Sequence, residues 1–258
     1  MTERRTDDGR WVYGVLDGDV AGPPPCRGVG DAHEVELIRH GDLAAAASPV
    51  SLEAFGERGL RESLEDLDRL EALARAHERV LDEALRIGTV VPFRICTVYA
   101  GAAGVREMLE REHQPLAAAL RRLRGTAEWG VKAYLVGREK GGTATAAAAS
   151  GTDYLARKRT ARDAAETARR ELEAAVDAVH ARLRERAAGA VLSAPQDRRL
   201  SGREDPMLLN AAYLVSDADA EIFGSVFAEL GRGLSAQGLE LELTGPWPPY
   251  HFSEAAAG

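Results

Sequence analysis

Cysteine is nearly absent. Cys26 and Cys96 are the only two in 258 residues. That is too few for a disulfide framework or a thiolate metal set, and a reducing, cytoplasmic setting is the simplest account of them. Aromatic residues make up only 5%, so the cores must be built from Leu, Val and Ala. Basic charge is not in excess: 33 Lys and Arg face 41 Asp and Glu, a formal net charge of −8. A general nucleic-acid binder needs a basic footprint, and an anionic membrane surface would repel this chain, so neither is an expected partner. No apolar run reaches the ~18 residues that span a bilayer. Residues 1–10 are charged and lack the apolar stretch of a secretory signal, so they read as a disordered tail.

Catalytic motifs are missing as well. In Gly137-Arg138-Glu139-Lys140-Gly141-Gly142-Thr143 the lysine precedes the glycine pair, which a phosphate-binding loop does not allow. Gly28-Val29-Gly30 lacks the third glycine of a dinucleotide site. His33-Glu34 and His77-Glu78 each lack a second His one helical turn on, so no zinc pair forms. No Gly-x-Ser-x-Gly elbow is present, and Cys96 has no identifiable base beside it. Catalytic, cofactor and metal sites are therefore all expected to be absent. His77 falls on a leucine stripe and reads as a packed, hydrogen-bonded histidine.

What the chain does contain is an ordinary folded balance, 45% hydrophobic and 29% charged, in a length suited to one large or two ordinary domains. A strand is expected over Trp11–Leu16 and a second around Val35–Arg39. Leu43–Ala47 either extends the sheet or opens a turn. Leu60, Leu64, Leu67, Ala74, His77, Leu81 and Leu85 recur at spacings of three and four, a helix ending at Gly88. Thr89–Tyr99 returns to a β pattern, broken by Pro92, which belongs at an edge, a bulge or a strand start. Val105, Met108, Leu109, Leu116, Leu120 and Leu123 mark a helical region that Pro115 kinks or restarts.

Glu128–Val136 is the next expected strand. Residues 141–151 are low in complexity and read as a mobile loop, with an extension of the next helix by its alanines as the alternative. A long helix follows over 152–188, its narrow apolar stripe suited to projecting or to pairing with one partner helix. Its many charges read as a solvated face, with a dedicated basic site as the alternative. Strands are then expected at Val191–Leu192, Met207–Val215 and Leu239–Leu243, with an Asp217-capped helix before the last and Gly238 ending it. Gly245 and Pro246 are expected to stop the final strand. From Glu128 onward the order is βαββαβ, the ferredoxin-like arrangement. The expected fold is thus two α+β domains, residues 11–126 and 127–258, the second ferredoxin-like with a long coiled-coil-like helix and a Pro/aromatic tail.

The tail, Thr244-Gly245-Pro246-Trp247-Pro248-Pro249-Tyr250, allows two readings: a clamp whose rings cover the fold, or an aromatic docking surface. Arg94 likewise is either an edge-strand charge that discourages sheet addition or an interfacial cation that pairs with a carboxylate.

This tail resembles that of the gas vesicle GvpL/GvpF family, and other segments agree in order. They are Val12-Tyr13-Gly14-Val15, His77-Glu78-Arg79-Val80-Leu81, Val90-Val91-Pro92-Phe93-Arg94 with Thr97-Val98-Tyr99, Glu128-Trp129-Gly130-Val131-Lys132, and Gly151 with Tyr154-Leu155 and Lys158-Arg159. Ile95-Cys96 departs from the pattern, where Phe-Gly is expected, and the Ala-rich insert at 141–151 is looser. The resemblance implies a non-enzymatic accessory protein of gas vesicle formation, with two α+β domains and a coiled-coil portion. It also implies engagement of the small hydrophobic shell protein GvpA and of other accessory proteins during nucleation, in the cytoplasm and at the gas vesicle. Candidate partner-binding residues are Arg94, Trp129, Lys132, Trp247 and Tyr250. The alternatives are a minor structural component of the vesicle wall, or a small-ligand or enzymatic module on a ferredoxin-like scaffold.

Overall fold

The structure is a computed structural model that describes residues 8–29, 34–56, 59, 66–136, 151–197 and 202–253, with 151–153 and 156 by backbone alone. Contacts divide the chain into two compact units. One runs up to Glu128 and resumes at Pro246; the other is Trp129–Gly245.

The first unit is a five-stranded sheet with helices. Strands β1 (Asp8–Asp17), β2 (Glu36–His40) and β3 (Leu43–Ser51) precede a short helix α1 (Leu52–Phe55) and a long one, α2 (Leu67–Ile87). Strands β4 (Val90–Pro92) and β5 (Val98–Ala100) follow, then helices α3 (Gly101–Arg111) and α4 (His113–Leu123). The sheet order is β2-β3-β1-β4, with β5 also on β1, and every pairing is antiparallel. Leu43–Ala47 proves to be a central strand in which all five residues are buried. Burial on both faces removes the alternation that would have marked it as a strand.

Strand β1 starts at Asp8, so the charged residues 8–10, expected in a disordered tail, are paired with Pro49–Ser51. Arg10 is held there by Glu36 at 2.5 Å and Asp8 at 2.6 Å. The expected β segment at 89–99 is split. Its two halves take successive stretches of the same edge of β1, and Pro92 sits where its missing N–H costs no ladder bond. Pro115 lies in the first turn of α4, so it opens a fresh helix rather than kinking an old one. Leu60 and Leu64 of the expected helical stripe lie outside the described residues. Leu73, His77, Val80, Leu81 and Ala84 form the buried stripe of α2.

The second unit contains β6 (Thr126–Leu135, entering from the first unit), helix α5 (Gly151–Arg184), β7 (Gly189–Leu192), β8 (Met207–Ser216), helix α6 (Ala220–Leu234) and β9 (Leu239–Trp247). The sheet order β7-β8-β6-β9 is that of a ferredoxin-like βαββαβ fold. Alternate residues of its strands, Val131 and Ala133, Leu209, Ala211, Tyr213 and Val215, and Leu239, meet Val176, Val179 and Leu183 of α5 and Phe223 of α6. Helix α5 ends four residues before the expected 188, because Gly189 already pairs with Leu214.

Two local expectations are corrected. The residue that caps α6 is Asp219, not Asp217, and its carboxylate is engaged by the Ser216 hydroxyl at 2.6 Å instead of by the helix. Strand β9 does not stop at Leu243; it runs through Gly245 and Pro246 to Trp247. Because β9 is an edge strand, a proline there leaves no central ladder bond unmade. Gly238, at φ 74°, turns the chain from the helix into β9 as expected. The Ala-rich insert lies outside the described residues except for Gly151.

Candidate partner-binding surfaces

A buried polar network lies at the centre of the first unit. The Trp11 indole N–H donates to His77 Nδ1 at 2.9 Å. Trp can only donate, so the proton of the neutral ring sits on Nε2, which donates to the Phe93 carbonyl at 3.1 Å. Burial pushes the His77 pKa down to about 4, so the ring stays neutral. Beside it, Tyr13 accepts from the Val29 N–H at 2.6 Å and shares a hydrogen bond with Ser48 at 2.8 Å. Gly28 makes room for this pair: a Cβ there would lie 1.8 Å from Ser48 Oγ and 2.4 Å from the Tyr13 hydroxyl. His77 is thus a packing histidine with both nitrogens used.

Arg94 is exposed in the turn between β4 and β5 and makes no ion pair among the described residues. The same turn contains Cys96 at φ 68°, a left-handed conformation in which glycine is at ease and cysteine is not. This is the position at which the resemblance leads one to expect glycine.

Trp129 and Lys132 belong to the second unit and lie on opposite faces of β6. Trp129 is half-buried on the helical face, with its ring 6.2 Å from that of Phe223. Lys132 lies on the other face, outside that core. They do not form one site.

Trp247 and Tyr250 belong to the tail, which groups with the first unit rather than with the sheet it leaves. Pro248, Pro249 and Ser253 are buried. Glu128, only 6% exposed, accepts the His251 backbone N–H at 2.8 Å and its Nδ1–H at 2.7 Å. Arg122 donates to the Phe252 carbonyl. The hydrogen bond to Glu128 raises the His251 pKa. Burial, and then Glu78, Asp82 and Glu128, push the Tyr250 hydroxyl up. Its hydroxyl end therefore faces the first unit although 38% of the residue is exposed. Trp247 is 43% exposed. The Glu128–His251 latch was missed in the sequence. A carboxylate inside the apolar run Ala127-Glu128-Trp129 was its one local sign.

Apolar surface is left uncovered in the second unit. On α6 only Phe223 is buried; Val226, Phe227, Leu230 and Leu234 are half-covered, as are Leu241 and Leu243 of the edge strand β9. Ile222 is 47% exposed. A groove of about 870 Å³ lies between α5 and the ends of β6 and β8, lined by Leu135, Leu172, Val176, Met207 and Leu208 among others. Among the described residues no group of three His, Cys, Asp or Glu side chains could hold a metal ion, and no helix is long and apolar enough to cross a membrane.

The family described as "Gas vesicle synthesis protein GvpL/GvpF" matches residues 9–254. The chain belongs to the GvpL/GvpF family. It is 39% identical to gas vesicle protein L of Streptomyces sp. (strain CB03234), over 97% of this chain and 95% of that protein. It is 24% identical to gas vesicle protein F2 of Halobacterium salinarum, over 96% and 93% respectively. The fold matches the crystal structure of GvpF from Anabaena sp. PCC7120 with a TM-score of 0.68 at 17% identity, covering 96% of each chain. It also matches GvpF from Microcystis aeruginosa with a TM-score of 0.64 at 17% identity, covering 95% and 99%. A gas vesicle accessory role follows for this GvpL/GvpF member, and the family is not a known enzyme family.

Proposed function

We propose that this protein is a non-enzymatic assembly factor of the cytoplasm that binds the small hydrophobic shell protein GvpA, together with other accessory proteins, while gas vesicles nucleate. The observation that carries this reading is the half-covered apolar face of α6 beside the nine-residue edge strand β9. An apolar client needs both features: apolar side chains to rest on, and open backbone groups for a strand to pair with. The firmly tied tail fits a clamp better than a docking arm, which makes Trp247 and Tyr250 weaker candidates than the α6 face. Arg94, exposed and without an ion pair among the described residues, remains a candidate partner contact of the first unit; Trp129 contributes to the α6 face through Phe223, and Lys132 lies away from it.

Co-expression with the shell protein tests the reading. The full chain should co-purify with GvpA, and Ile222→Asp with Phe227→Asp should abolish that while leaving the first unit folded. Failure of the unaltered chain to retain GvpA, or normal vesicles formed without this chain, would overturn it.

A further inference from the structure

Helix α5 has two halves with different surroundings. From Leu172 onward it packs on its sheet, whereas from Tyr154 to Glu171 every side chain that is described is exposed. Within the exposed half, Arg157, Lys158, Arg159 and Arg162 fall inside six residues, with no Asp or Glu between Tyr154 and Arg162. Among the described residues none of the four is ion-paired, while the next turns neutralise themselves through Arg170–Glu166 at 2.6 Å and Arg169–Glu173 at 2.8 Å. For the isolated chain this arrangement is unfavourable. Lys158 and Arg162 are like charges one turn apart.

The apolar stripe of the same helix continues through this half. Ala161, Ala165, Ala168, Leu172 and Val176 share one face by their spacing, and the last four line the 870 Å³ groove. At 100° per residue, Tyr154, Arg157 and Lys158 extend that face and Arg162 flanks it. The alanines keep the surface low enough for a second helix to approach closely. The charge indicates what kind of helix: on a chain of net charge −8, this is a local cationic site that would draw in an anionic partner and orient it.

We propose that the exposed half of α5 and the groove it enters form a docking surface for an acidic amphipathic helix of another protein. Its apolar face lies along Ala161–Val176, and its carboxylates meet Arg157, Lys158 and Arg162. From Tyr154 to Val176 the track is about 33 Å long at 1.5 Å per residue, so the partner helix has roughly six turns. This site is separate from the α6 face and stands whether or not GvpA binds there.

The probe is a fluorescein-labelled peptide of about three heptads, with Leu at the a and d positions and Glu on the flanks. A second peptide carries Lys in place of every Glu. The full-length protein should bind the acidic peptide about tenfold more tightly than the basic one, with affinity falling as salt rises. The variant R157E/K158E/R162E should reverse that preference. Tighter binding of the basic peptide by this variant shows in the same experiment that the helix is kept. A165E/A168E, which fills the groove, should weaken both peptides. Equal binding of the two peptides, no binding of the acidic one, or an unreversed preference in the charge-swapped variant would overturn the proposal.

Discussion

Each unit has a fully buried apolar centre, but their helices differ: α2 of the first unit buries five residues, α6 of the second only one. Val80 and Leu81 of α2 are 0% exposed, whereas Val226, Phe227, Leu230 and Leu234 of α6 are only partly buried against their core. Architecture explains part of the contrast. Strands β1 and β3 are buried on both faces, whereas α6 contributes one fully buried residue. Charge is divided unevenly too. The first unit contains 17 Lys and Arg against 24 Asp and Glu, and the second 16 against 17. An acidic unit thus accompanies a nearly neutral one whose α6 keeps apolar side chains partly open. On the proposed reading the second offers the partner surface, because groups that are satisfied internally have little to offer one.

Substitutions break or sharpen this contrast. Trp11→Ala removes a fully buried indole and strands His77, and should cost about 4 kcal/mol in urea denaturation, against about 1 kcal/mol for Phe227→Ala on the half-open face. Equal costs would erase the distinction between the units. Acid should weaken the first unit. The folded pKa of His77 is depressed to about 4 from an unfolded value near 6.5. Its contribution is therefore complete above pH 6.5 and is lost as pH falls through 4, up to about 3 kcal/mol, read as a falling urea midpoint.

The tail should respond in the opposite direction. The His251 pKa is raised by Glu128, so the latch is fully formed below pH 6.5 and weakens as pH rises through the higher folded value. The protection of the His251 amide, its exchange rate taken relative to the intrinsic base-catalysed rate at each pH, should fall over that range, and Glu128→Gln should remove the fall. The smallest effect is expected at Cys96. Replacement by Gly relieves a left-handed residue at some entropic cost, for a net gain of about 0.5 kcal/mol and a small rise in melting temperature.

How much could be read in advance followed from period. The α2 stripe through His77, the alternation of β6 and β9, and the βαββαβ order were legible because one buried face repeats at 3.6 or 2 residues. The alanines of β3 were ambiguous because burial on both faces leaves no repeat. The end of β9 was misplaced because Pro246 breaks a central strand but not an edge. The aromatic tail stood out, but Glu128 and His251 are 123 residues apart, and no local pattern announces such a pairing. Open apolar surface on α6 was invisible for another reason: Val226, Phe227 and Leu230 have a helix-core spacing whether or not anything covers them.

That the tail belongs with the first unit also bears on synthesis. Residues 246–253 leave the ribosome only after the whole of Trp129–Gly245 has been made. Glu128 must then wait more than a hundred residues for its partner His251. The first sheet can form early, but its latch closes only after the second unit has emerged, so completion of the first unit marks a chain whose second unit has already been translated.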